Sequence, residues 1–132
     1  MRKLARESAF KIVYKSLFLE NNYDCEEILD EDKIDGEDRE FAIALVNEYK
    51  NNKQVILQKI EGKSKGFALD RMFKIDLAIL GVALAELLYY KQTPYKIVVN
   101  EAVEMAKKYS TEKSYSFING ILKSIIEDEN VI

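Results

Sequence analysis

The sequence predicts an all-α protein, a bundle of six or seven helices. Three observations lead there. Apolar residues recur at helical spacing through most of the chain. One Pro and five Gly in 132 residues leave few breaks, which disfavours a turn-rich β sandwich. No segment sustains the period-2 alternation of a half-buried strand. The length of 132 residues fits a single domain. A domain of that size buries roughly two thirds of its unfolded surface.

The first helix is expected over residues 3–20, where Phe10, Val13 and Leu17 form a stripe with Tyr14 on its edge; Asn21-Asn22 ends it. Residues 24–34 are acidic and suit a short helix. Asp35-Gly36-Glu37-Asp38 reads as a turn and a helix start, with Asp35 able to cap and acids in the first turn favoured by the dipole. Phe41, Leu45, Tyr49, Ile56 and Ile60 share a face, so residues 37–61 are helical, with a possible break at Asn51-Asn52 and a stop at Gly62. Residues 63–66 are a loop. The apolar central helix covers 68–91, and Gly81 within it permits close helix packing. Thr93-Pro94 marks the next boundary. Val99, Ala102, Val103, Ala106 and Tyr109 define a helix over 95–109. Ser110-Thr111 is a cap site, and Tyr115, Ile118, Ile121, Leu122 and Ile125 define the last helix.

Composition removes several chemistries. There is no His, so His-based acid–base catalysis, the Ser-His-Asp triad and His metal sites are excluded. The lone Cys25 excludes an intrachain disulfide and a Cys-cluster metal site, and a reducing, cytoplasmic setting is the default expectation. Lys11 and Lys15 interrupt any secretory apolar run near the N-terminus. The longest apolar stretch, Leu77 to Ala85, is far short of the ~20 residues a membrane span needs. No glycine-rich phosphate loop or dinucleotide fingerprint is present. Glu101 and Glu104 share a helix surface, and a binding protein is the better reading than a carboxylate enzyme.

The net charge of −3 hides an uneven distribution. Residues 1–19 carry five cations and one acid, whereas residues 20–48 carry two cations and twelve acids. A basic N-terminus on an acidic protein can meet a polyanion locally while the acidic part limits indiscriminate binding. The alternative is a solvated helix end. Arg2, Lys3 and Arg6 would be the phosphate contacts; they lie outside the Phe10–Val13–Leu17 stripe, so little packing should depend on them.

The C-terminal third carries a resemblance. Pro94 to Lys107, reading PYKIVVNEAVEMAK, and Ser114 to Leu122, reading SYSFINGIL, are similar in residues, order and spacing to two blocks of the NusB family of bacterial antitermination factors. Ala5-Arg6-Glu7-Ser8-Ala9 with Tyr14 resembles the family's start. Phe67-Ala68-Leu69-Asp70-Arg71, Lys74-Ile75-Asp76 and Glu86-Leu87 resemble its central region. The sequence departs from residues common in the family at Leu77, Gly81, Ala85 and Lys113. The resemblance implies an all-helical RNA-binding protein without a catalytic site, cofactor or metal. It implies pairing with the ribosomal protein NusE, single-stranded boxA RNA as ligand, and service to the transcription elongation complex in ribosomal RNA operons.

Within that frame Arg2, Lys3, Arg6, Tyr14, Lys113 and Phe117 are the candidate RNA-binding residues, and Asp76 the candidate partner contact. Phe117 falls on the flank of the Ile118–Ile121–Leu122–Ile125 stripe with Lys113 one turn earlier, a pairing suited to base stacking or to closing the core edge. Tyr14 suits either stacking or a core edge, and Asp76 either the partner or a helix start. Asn100 and Asn119 are expected to bridge helix ends by hydrogen bonds, with Gly120 as a packing site. Two further readings stay open. One is a detached interaction module like the N-terminal domain of RsmB-type ribosomal RNA methyltransferases. The other is a homodimer or larger homo-oligomer whose RNA face is covered.

Overall fold

Seven α-helices carry the chain in the computed structural model, which describes residues 2–19, 25–64 and 68–131. They are α1 (Arg2–Leu19), α2 (Cys25–Glu31), α3 (Gly36–Asn51), α4 (Lys53–Lys63), α5 (Lys74–Leu84), α6 (Tyr95–Tyr109) and α7 (Ser114–Glu129). No strand occurs among the described residues. The expected stop at Asn21-Asn22 and the loop residues Lys65 and Gly66 lie outside them.

The α5 helix is the axis of the bundle. Residues 76–88 are buried without interruption, so this segment is enclosed on all sides rather than on one stripe. It packs against α1, α3, α4, α6 and α7. The α1 helix is the second axis, wedged between α3 and α5, and α6 and α7 form an antiparallel pair. One cluster of apolar side chains runs from Ala5 to Ile126.

The expected central helix over 68–91 is three pieces. Leu69–Arg71 is a single 3₁₀ turn, α5 starts only at Lys74, and Ala85–Tyr90 widens into a π-helical turn. That turn closes where the Lys91 N–H donates to the Glu86 carbonyl at 2.9 Å and Lys91 adopts a left-handed backbone, φ 59°. Such turns are rare, and this one carries Glu86.

The break at Asn52 is as expected; the Asn52 side-chain amide donates to the Glu48 carbonyl at 2.9 Å and satisfies the end of α3. Gly62 does not stop α4, which runs on to Lys63 and closes at Ser64. Asp35 occupies the position before α3 but makes no side-chain capping bond. Gly120 is exposed and touches nothing that a Cβ would meet, so it is no packing site.

Gly81 is one. A Cβ there would sit 2.7 Å from the ring edge of Tyr49, which is itself fully enclosed in α3. The ring cannot retreat in a close-packed interior. Gly81→Ala should therefore destabilise: overpacking costs ~1–3 kcal/mol, against a helix-propensity gain of ~1 kcal/mol. Gly120→Ala, with the same propensity gain and no clash, should raise stability by up to ~1 kcal/mol. Thermal melts of the two variants should shift in opposite directions.

Candidate nucleic-acid interface

Polar residues of α1 divide by position along the helix. Arg2 and Lys3 project from its exposed first turn. Arg2 lies over the face of Phe41, its guanidinium carbon 4.2 Å from the ring centroid. One turn later the same side of the helix has entered the bundle. Arg6 is 6 % exposed, and its Nε and Nη2 donate to the two oxygens of Glu86 at 2.8 and 2.7 Å. Thr93 donates to Glu86 as well, at 2.6 Å. Burial works against the Arg6 charge, but the hydrogen bonds and field of Glu86 outweigh it and hold its pKa above the ordinary value. The expectation of a solvated Arg6 with little packing dependent on it is thus corrected. The Nε–Nη2 edge of its fork is taken by the Glu86 carboxylate in a bidentate contact.

Glu7, on the neighbouring face of α1, is buried too. It accepts from Lys108 Nζ at 2.8 Å and Tyr109 OH at 2.6 Å, which ties α1 to the end of α6. Burial alone would raise the Glu7 carboxyl. The two hydrogen bonds, with the charges of Lys108 and Lys11, override that and hold it below the usual carboxylate range. The Tyr109 phenol is pushed up, by burial and by its bond to Glu7.

Asp76 is also turned inward. It is 4 % exposed, and it accepts from Ser110 Oγ at 2.6 Å and Ser114 Oγ at 2.9 Å. Its carboxylate fastens the α6–α7 turn to the first turn of α5, so the expected partner contact is a tether in this structure. Ser110 and Thr111 are not the expected cap: Lys113 precedes α7 without a side-chain capping bond, and the two hydroxyls bond the side chain of Ser114 instead.

Lys113 and Phe117 flank that tether. With Arg71 and Phe73 they line an open cleft of about 640 Å³ that has the Asp76 cluster as its floor. Phe73, 59 % exposed, is the most exposed large apolar residue described. Phe117 is half-buried, with part of its ring on the core edge. The flank position expected from spacing thus becomes one wall of an apolar cleft with cations at its rim.

Tyr14 is half-buried and belongs to a line of rings along α1. Tyr109 meets Phe10 at 5.1 Å between centroids, Phe10 meets Tyr14 at 6.2 Å, and Tyr14 meets the exposed Phe18 edge-on at 5.1 Å. Lys74, next to Phe73, reaches to 5.9 Å from the Phe18 ring. The structure therefore brings Lys113, Phe117 and the floor residue Asp76 together. It places Arg2 and Lys3 at the other end of α1, and the Tyr14 line between. Sequence reasoning missed Arg71 and Phe73 because they sit beside a helix break. It also missed the Arg6 and Glu7 pairs. One signal pointed to the first: an acid at Glu86 inside an apolar run requires a cation.

These features define a class: an all-helical bundle, fastened by buried carboxylates, whose α1 edge and α6–α7 turn carry cations and aromatic rings. The chain belongs to the NusB family, whose sequence model matches residues 3–127. A transcription antitermination protein NusB from Finegoldia magna is 42 % identical over 129 residues, covering 96 % of this chain and 93 % of that one. The solved NusB of T. maritima superposes with a TM-score of 0.86 at 32 % identity, covering 97 % of this chain and 92 % of that one. A crystal structure of antitermination factors NusB and NusE in complex with dsRNA matches with a TM-score of 0.85 at 29 % identity, covering 96 % of each chain.

Removing one partner of a buried pair leaves an uncompensated charge. Arg6→Ala should therefore cost about 3–5 kcal/mol, and Arg6→Lys should recover only part, since an ammonium cannot make the two-pronged contact. Arg2→Ala and Lys3→Ala should each stay within ~0.5 kcal/mol in the same denaturant titration.

Glu7 sets a pH dependence. Its folded pKa lies below the unfolded one, so its contribution is present above the unfolded pKa and fades as pH falls through the folded value. The stability gap between the native protein and Glu7→Gln should be widest near neutrality and should close in acid. A gap constant from pH 7 down to pH 3, read by urea midpoints, would contradict the pairing.

Proposed function

We propose that this protein is a transcription antitermination factor that binds boxA-type RNA together with NusE. Bound so, it supports read-through by RNA polymerase, notably in ribosomal RNA operons, acting in the cytoplasm as one domain over residues 1–132. It works by binding, without a catalytic site.

The observations that carry this reading are exposed Arg2 and Lys3 at the start of α1, exposed Lys107 and Lys108 at the end of α6, and exposed Lys113 near half-buried Phe117 at the start of α7. They offer cations for phosphates, and Tyr14 and Phe117 offer partly exposed rings for bases. Cations position a single strand, and aromatic faces hold unstacked bases, a combination that single-strand RNA sites use. Arg2 and Lys3 contact phosphates. Tyr14 and Phe117 offer ring faces, and Lys113 neutralises a phosphate at the cleft rim. Arg6 and Asp76 enter as positioning residues: one fixes the first helix under Arg2, the other fixes the α7 turn under Phe117. NusE adds a second surface and raises the affinity for RNA, since so few phosphate contacts bind weakly alone.

The test is a titration with boxA-type and scrambled RNA, with and without NusE, over a salt series. The native protein should prefer boxA and bind it more tightly when NusE is saturating. The double variant Arg2→Ala/Lys3→Ala should lower the slope of log affinity against log salt by about 1.4, at ~0.7 per phosphate contact. Phe117→Ala should weaken binding by the ~1–3 kcal/mol of one stacked base at every salt concentration and leave the slope unchanged. Equal affinity for both RNAs, with and without NusE, would overturn the reading.

A further inference from the structure

The outer face of the α6–α7 pair holds a second open groove, of about 720 Å³, separate from the Lys113–Phe117 cleft. Residues Lys96, Asn100 and Lys107 of α6 and Tyr115, Asn119 and Lys123 of α7 line it. Their spacing of four or seven residues puts each set on one helix face, and the two faces meet along the groove. From Lys96 to Lys107 the groove runs about 16 Å at 1.5 Å per residue.

Several facts mark this face as unspent. Lys96, Lys107 and Lys123 make no ion pair among the described residues, although other lysines of the chain do. Tyr115 is 41 % exposed, and Lys107 Nζ stands 5.3 Å from its ring centroid. Asn100 and Asn119 sit in mid-helix and cap nothing, contrary to the structural role expected from sequence; both line the groove. The groove therefore offers cations, a ring face with a cation beside it and two amides able to donate and accept, set around the apolar Val99, Val103 and Ile126. Glu127 at the lip is its one acid.

That set matches a single nucleic-acid strand better than a protein helix. Lysines take phosphates, tyrosine takes a base face, and asparagine reads base edges. The groove also continues the surface already described. Lys107 lines it and also lines a small pocket with Lys3, Glu7, Glu104 and Lys108. A strand leaving the N-terminal cations meets Lys107 next, and then Tyr115.

We infer that the α6–α7 groove is a second RNA subsite, which takes single-stranded RNA running on from the N-terminal contacts, with Tyr115 as its stacking platform and Lys96 and Lys123 as its phosphate contacts. The inference rests on the RNA-binding reading above and extends it by a separate set of residues.

The test compares two RNAs on the full-length protein with NusE present. One is a boxA-type RNA alone. The other is the same RNA lengthened at either end by about four unpaired nucleotides, the lower end of single-strand site sizes. The native protein should bind one of the lengthened RNAs about tenfold more tightly. Lys96→Ala/Lys123→Ala should abolish that gain and lower the salt slope on the long RNA by about 1.4. Tyr115→Ala should lose roughly 5- to 10-fold on the long RNA, up to the whole of that gain, with the slope unchanged. On the short RNA both variants should match the native protein. All three side chains are exposed, so circular dichroism melts should be unaltered. Native-like binding of the long RNA by both variants, with the short RNA bound normally, overturns the subsite and leaves the RNA-binding reading intact. Normal RNA binding with lost affinity for NusE also overturns it and makes the groove a protein-docking face. Failure of the native protein to bind either RNA overturns both.

Discussion

The buried pair of Arg6 and Glu86 is the constraint around which this bundle is arranged. Eighty residues separate the partners in sequence, and both are nearly inaccessible to water. Two charges in such a place are tolerated only when each finds a matching partner with good geometry. The bidentate contact supplies that, and Thr93 occupies a further lone pair of Glu86. The requirement fixes the rotation of α1 about its axis and its height along α5. The pair's acid lies in the π-helical turn at residues 85–90, where the helix changes pitch.

Two other buried carboxylates repeat the device. Glu7 fastens α1 to the end of α6 through Lys108 and Tyr109, and Asp76 fastens α5 to the start of α7 through Ser110 and Ser114. Apolar packing brings the helices together but is non-directional. The carboxylates add direction. They fix three helix junctions, and the candidate binding residues sit on those junctions: Arg2 and Lys3 one turn from Arg6 and Glu7, Lys113 and Phe117 beside Ser114. A rigid support under each exposed contact reduces the ordering cost when a flexible strand is bound.

The first helix shows how one run of sequence serves both ends. Arg2 and Arg6 are four residues apart and share a helix side; both guanidinium groups lie against Phe41. One is exposed and the other buried because the bundle covers the helix only from about residue 5 onward. Position relative to the neighbouring helices, not residue type, separates a candidate phosphate contact from a structural cation.

The sequence by itself determined the helices and the family. Helix formation depends on local spacing, so the stripes of α1, α3, α4, α6 and α7 were readable, as were the break at Asn52, the enclosed stretch from Leu77 to Ala85 and the tight site at Gly81. The two C-terminal blocks carried the family resemblance because their residues are contiguous. Which polar residues face water was decided by the tertiary structure. Period placed Arg6 outside the apolar stripe and the family resemblance placed Asp76 at a partner face, while long-range pairing buried both. The cleft at Phe73 and Phe117 joins residues from two helix starts that are more than forty positions apart. The groove at Tyr115 joins two helix faces across a turn. Neither surface has a local signature, because each exists only once the helices have been set at their angles by the core and its three buried carboxylates.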